Sequence, residues 1–206
     1  MTSVMVAGVS AGANPDAKVG PNAVTQVAAA LRALGGESLA AQVFQAANLS
    51  DILESPPQHM VNQAVAAQLH DTLRRALPQP DALRIAADAG RRTADYLLAN
   101  RIPRPAQLVM KLVPPQLSAR ILLKAMASNA WTYAGTGQVS IEVGNPCVLE
   151  IIDNPLAQPM CPWHVAVFER LFRALVAKGA LVSHTRCCAH GAPSCRFEIT
   201  LSRRVA

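Results

Sequence analysis

The chain has 206 residues, a formal net charge of +6 at pH 7, and 51% hydrophobic but only 4% aromatic residues. That length supports one full-sized domain with its own core. The basic residues are scattered, with no continuous Lys/Arg run and no nucleic-acid motif, so a nucleic-acid partner is not expected. No apolar run reaches the roughly 18 residues that a membrane span needs, so an integral membrane protein is not expected. The small, apolar beginning lacks the positive n-region of a secretory signal. The five cysteines are odd in number and clustered, which fits a reduced, cytoplasmic protein with a metal or redox site better than a disulfide framework.

Residues 1–19 read as a flexible arm, followed by one domain over 20–206. Pro21 stands at a first helical position; Val24, Val27, Leu31 and Leu34 follow at helical spacing, and Gly35-Gly36 ends the segment. A short helix is expected over 38–47 and a connector with Pro56-Pro57 over 49–58. An amphipathic helix follows over 60–77, closed by Pro78 and Pro80. Asp81 reads as the N-cap of another long helix, which Pro103 and Pro105 break. Pro114-Pro115 opens one more. The pattern changes at Trp131: Trp131-Thr132-Tyr133, 138–143 and 147–152 are rich in β-formers between turn signals. A helix returns over 161–178, then two strands over 180–187 and 195–201. Helices first and strands later predict an α+β fold, the N-terminal helices packed on a C-terminal antiparallel sheet.

Residues 161–197 hold four of the five cysteines and three of the five histidines. Cys161, His184, Cys187 and Cys195 form a soft-ligand set that suits tetrahedral zinc. Cys161 opens a helix, whose positive end is expected to lower its thiol pKa. On a regular strand, however, His184 and Cys187 point to opposite faces, whereas His184 and Cys188 share one. Either the strand ends or bulges before Cys187, or Cys188 is the ligand. A four-thiolate iron–sulfur cluster through Cys161, Cys187, Cys188 and Cys195 is a rival, weakened by the adjacent cysteines.

Several of these residues also resemble a known family. Asn154-Pro155-Leu156, Cys161 before a helix carrying aromatics, the C-x3-G-x3-C of Cys187, Gly191 and Cys195, and Arg196-Phe197-Glu198 resemble the vinyl-4-reductase domain. Gly20-Pro21-Asn22-Ala23, Arg101-Ile102-Pro103 and Ala130-Trp131-Thr132-Tyr133 look like its bacteriochlorophyll 4-vinyl (divinyl protochlorophyllide 8-vinyl) reductase branch. The resemblance implies a ligand-binding domain, often dimeric, that is shared with the sensors of phenol-responsive activators. Those sensors hold zinc with three cysteines and one acidic residue. By position, their ligands fall on Cys161, Cys187 and Cys195, with His184 in the acidic place, so Cys187 is favoured over Cys188.

It further implies a role in bacteriochlorophyll biosynthesis beside its enzymes, in the cytoplasm or at the periphery of photosynthetic membranes. Vinyl reduction requires a source of electrons. Gly135-Thr136-Gly137 only approximates a dinucleotide fingerprint and leads into a strand, and four protein ligands leave zinc no open position. No catalytic residue is therefore assigned. A carrier or accessory factor for a Mg-porphyrin or divinyl protochlorophyllide is expected ahead of an 8-vinyl reductase using an external electron donor. Trp131, Tyr133, Phe168 and Phe172 are candidate stacking residues for the macrocycle, against the simpler role of core aromatics. His59, His70 and His164 are candidate magnesium ligands, and Arg91 and Arg92 candidate propionate partners.

Overall fold

The computed structural model describes residues 17–201. Most of the expected arm, residues 1–16, lies outside them. Its end is ordered: β1 (Lys18–Val19) pairs antiparallel with β2 (Val61–Asn62), and Val19 is fully buried.

Helix α1 (Asn22–Ala46) is two helices across a kink, because Gly36 takes φ 70°, a left-handed value that suits glycine. The expected connector contains a short helix, α2 (Ser50–Glu54). Helix α3 (Gln63–Ala76) is capped by Asn62, whose side chain accepts from the Ala64 N–H at 2.8 Å. Helix α4 (Gln79–Asn100) starts earlier than expected. Pro78 holds its cap position, and Asp81 lies inside the first turn, beside Arg84. A proline at the helix start loses no hydrogen bond, so Pro80 begins this helix and did not need to end the previous one.

Pro103 likewise precedes a separate helix, α5 (Arg104–Leu112), and Pro114 precedes α6 (Pro115–Ser128). Trp131–Ala134 is a helical turn, α7, where β-formers suggested a strand. The Thr132 N–H and hydroxyl both donate to the Asn129 carbonyl, at 3.0 and 2.7 Å, and burial of Tyr133 holds the turn. Local bonds and packing override β-propensity here.

The sheet is antiparallel, in the order β3 (Gln138–Glu142), β4 (Cys147–Ile152), β6 (Ser194–Thr200), β5 (Leu181–Arg186). Helix α8 (Pro162–Leu175) lies between α4 and this sheet. Its Phe168 meets Phe197 of β6 edge-to-face at 5.0 Å. Gly90 of α4 permits the close approach on the other side: a Cβ there would lie 2.8 Å from that of Ala166. On the outer face of the sheet, Arg196 bonds Glu150 and Glu198, each at 3.0 Å, which ties β4 to β6. The α+β architecture is as expected.

A candidate metal centre and an adjacent cleft

Residues from three elements converge at the end of the sheet beneath the start of α8. Cys161 occupies the N-cap of α8, and both it and Met160 have positive φ, 41° and 66°. Such backbone is uncommon for residues with a Cβ and occurs where surrounding structure enforces it. His184 lies on β5, and its ring stacks on Phe197 at 4.8 Å and 21°. Cys195 is the second residue of β6 and is fully buried.

Cys187 reaches the same place because β5 bulges. The register pairs His184 with Phe197 but Arg186 with Arg196, which leaves Thr185 as the extra residue. Without it, Cys187 would turn away from His184. With it, Cys187 comes next in the shifted register, on the face that carries His184 and Cys195. Cys188 begins a 3-10 turn; its N–H donates to the Cys195 Sγ at 3.4 Å, while its own Sγ lies 4.0 Å from the Ile151 carbonyl and is not among the four ligand atoms that come together.

The ligand atoms of Cys161, His184, Cys187 and Cys195 all lie within 4.8 Å of one another. The Cys161 and Cys195 sulfurs are 3.7 Å apart. Zinc–sulfur bonds of about 2.3 Å give a tetrahedron with sulfur–sulfur edges of about 3.8 Å. A multi-iron cluster spreads its thiolates over separate irons and needs them farther apart, so the spacing suits one ion. His184 Nε2 is buried without a hydrogen-bond partner, an arrangement that is unfavourable unless something else meets it.

The charge in this group is not where the helix start alone would put it. The Cys161 thiol is pushed up, first by its hydrogen bond to Cys195 and then by burial. Cys195 is pulled down to about 3, chiefly by that same bond, with the His184 ring and the Asn154 amide also close. Burial raises Cys187, and raises Cys188 to about 11. Without a metal, Cys161 and Cys195 thus share a proton across their 3.7 Å contact. A bound cation removes that proton by deprotonating its thiols outright.

The expected stacking aromatics do not gather around a common cavity. Trp131 is on the surface, while Tyr133, Phe168 and Phe172 are buried in the core. The Tyr133 hydroxyl donates to the Met126 carbonyl at 3.2 Å. Arg91 and Arg92 both pair with Asp88 along their own helix, and His59 is exposed.

A narrow cleft with a volume of about 20 Å³ lies instead beside the cysteine group, between α3, α4 and the start of α8. Its lining includes His70, Arg74, Gln79, Cys161, Trp163 and His164. Burial holds both histidines neutral, with pKa values lowered to about 4. Their Nε2 atoms donate to the carbonyls of Ala23 and Tyr133, at 3.0 and 3.1 Å, so Nδ1 is the unprotonated nitrogen in each. Trp163 is buried, and its Nε1 donor has no partner.

Over 188 residues, the chain is 40% identical to the bacteriochlorophyll synthase 23 kDa chain of Cereibacter sphaeroides, covering 88% of this chain and 90% of that one. It belongs to this family. A second member, from Rhodobacter capsulatus, is 33% identical over 188 residues, covering 88% and 86%. No protein-family model matches the chain. The fold of this family member is that of H-NOX proteins. An Fe(II) unliganded H-NOX mutant from K. algicida superposes with a TM-score of 0.62 at 10% identity, covering 91% of this chain and 98% of that one. An H-NOX protein from S. oneidensis in the Fe(II)NO ligation state gives 0.55 at 12% identity, covering 90% and 100%.

Sequence reasoning left several site residues without a role. The Gln158 carbonyl accepts from the Cys161 N–H at 2.7 Å and from the Cys187 thiol at 3.3 Å, anchoring both. Thr185 sets the bulge. Trp163 and Arg74 reach the cleft only through the packing of α8 on the helices, which no local pattern reports.

Proposed function

We propose that this family member serves bacteriochlorophyll biosynthesis by binding a tetrapyrrole intermediate, as a carrier or accessory factor, on a scaffold tied by one zinc ion. Cys161, His184, Cys187 and Cys195 would hold the zinc. The 3.7 Å sulfur spacing beside the orphaned His184 Nε2 is the observation that carries this part. Four protein ligands close a zinc site, so its role is structural. Bound there, it fastens the β5–β6 hairpin to the start of α8.

The cleft marks where the ligand half of the reading would seat the pigment; its volume of about 20 Å³ requires α3, α4 and the start of α8 to part before a macrocycle enters. The cleft is apolar for the most part, with a few convergent polar groups, which is the usual character of small-molecule sites. Trp163 offers a donor and Arg74 a cation for peripheral oxygens. The unprotonated Nδ1 of His70 suits a central magnesium. The relatives' name supports a place in bacteriochlorophyll biosynthesis, from which the pigment ligand is our inference, and the H-NOX likeness adds only that this fold accommodates a ligand-bearing Fe(II) in other proteins. No residue of this chain is assigned to hydride or electron transfer, so carriage ranks ahead of vinyl reduction.

The test is titration of the purified chain with Mg-protoporphyrin and with divinyl protochlorophyllide, with and without NADPH, followed by absorbance and mass spectrometry. Saturable binding with the vinyl group intact is expected, weakened in His70→Ala and Arg74→Gln. Conversion of the vinyl to an ethyl group by the chain and NADPH alone would refute the carrier reading, and failure to bind either pigment would refute both.

A further inference from the structure

We propose that the hairpin of α5 and α6 is a docking surface for an anionic lipid bilayer. The inference goes beyond the reading above and stands without the zinc or the pigment.

Helix α5 is nine residues long, and Met110 is its only buried residue. A helix that short is marginal in water by itself. Polar bonds and the turn also fix it: the Gln107 amide donates to the carbonyls of Leu98 and Ile102, at 2.6 and 2.9 Å, and a two-residue turn joins it to α6. Met110 is the one apolar side chain of α5 buried in the core; the others are not used to hold the helix. Leu108 and Leu112 are 58% and 74% exposed, Val109 is exposed beside them, and Leu117 and Ile121 continue one face of α6. These five are half of the ten large hydrophobic residues exposed among the described residues. They fall within 14 residues of sequence, on both sides of the turn, and aliphatic groups gathered in this way mark an interaction site.

The charge around them identifies the partner. From residue 96 to 141 the sequence contains no Asp or Glu, while Arg101, Arg104, Lys111, Arg120 and Lys124 give the stretch a charge of +5. All five cations are exposed. None forms an ion pair among the described residues, although nine arginines elsewhere do. A two-fold contact between copies, as in the homodimer expected from the family resemblance, would set these cations against their own images with no carboxylate of the same stretch to separate them. Nucleic acid would use the cations and leave the aliphatic side chains in water. An anionic bilayer takes both: headgroups meet Arg and Lys, and the acyl boundary meets Leu, Val and Ile.

The test is co-sedimentation of the full chain with vesicles of phosphatidylcholine alone and of phosphatidylcholine mixed with phosphatidylglycerol, at low and high salt. Binding to the mixed vesicles only, weakened by salt, is expected. Each basic residue near a charged surface contributes about fivefold, so Arg104→Gln with Lys111→Gln should lower partitioning about thirtyfold. Leu112→Ser should lower it about tenfold. Leu181→Ser, which removes an exposed leucine from β5, should leave it unchanged. These positions are exposed, so unchanged thermal unfolding will show that the variants fold. Absence of binding, equal binding to both vesicles, or variants that bind as the parent does would overturn the proposal. A dimer in sedimentation velocity that Leu112→Ser dissolves, with no vesicle binding, would assign the surface to a second copy. Binding to an acidic protein but not to vesicles would likewise overturn it.

Discussion

The reasoning about the metal centre is sharpest where two adjacent cysteines are treated alike. The bulge at Thr185 turns Cys187 toward Cys195 and leaves Cys188 beside the Ile151 carbonyl. Cys187→Ser should therefore lose zinc, and Cys188→Ser should keep one equivalent. Structural zinc contributes about 10–16 kcal/mol in small zinc-dependent folds, hence roughly 2.5–4 kcal/mol per ligand, or two to three powers of ten in affinity. A hundredfold loss near saturation removes about 2.7 kcal/mol of stability. In a chain of this length that lowers Tm by about 5–10 °C. Metal content by mass spectrometry and thermal unfolding with and without a chelator measure both effects. In Cys188→Ser, chelation should still lower Tm; in Cys187→Ser it should no longer matter. Zinc retained by Cys187→Ser, or lost by Cys188→Ser, would show that the bulge does not direct the ligand.

Other expectations follow from the packing and the buried rings. Gly90→Ala brings a methyl group against the Trp163 carbonyl and Ala166, so α4 and α8 must separate; about 1–3 kcal/mol should be lost in urea unfolding. Phe197→Leu removes the ring on which His184 stacks while keeping all four ligands, and should weaken zinc about 10–100-fold in chelator competition. Burial lowers His70 and His164 from 6.5 to about 4, so between those values the unfolded chain binds more protons than the folded one. Stability is then full above pH 6.5 and falls as pH drops toward 4. About 2 kcal/mol per ring should be lost between pH 8 and pH 5 in urea unfolding of the chelated protein. His70→Gln should remove half of that slope.

Much of the fold was legible in local patterns. The 3.6-residue spacing of α3 and the β-rich stretches of β4 and β6 report backbone periodicity directly, and the glycine pair of α1 reports a left-handed turn. Prolines were less legible, because the same residue can end one helix or start the next, and only the structure shows that Pro80 and Pro103 lie at helix starts. Trp131 and Tyr133 misled for a different reason: their β-propensity is weak beside the burial that makes α7 helical.

The sequence by itself determined the α+β order of elements, the clustering of soft ligands near the C-terminus, and the acid-free, basic stretch from 96 to 141. Those are properties of composition and spacing along the chain. Tertiary structure decided which cysteines meet, where the cleft lies and which leucines remain in water. Each depends on a register shift or on packing between segments far apart in sequence, and no local pattern encodes that distance.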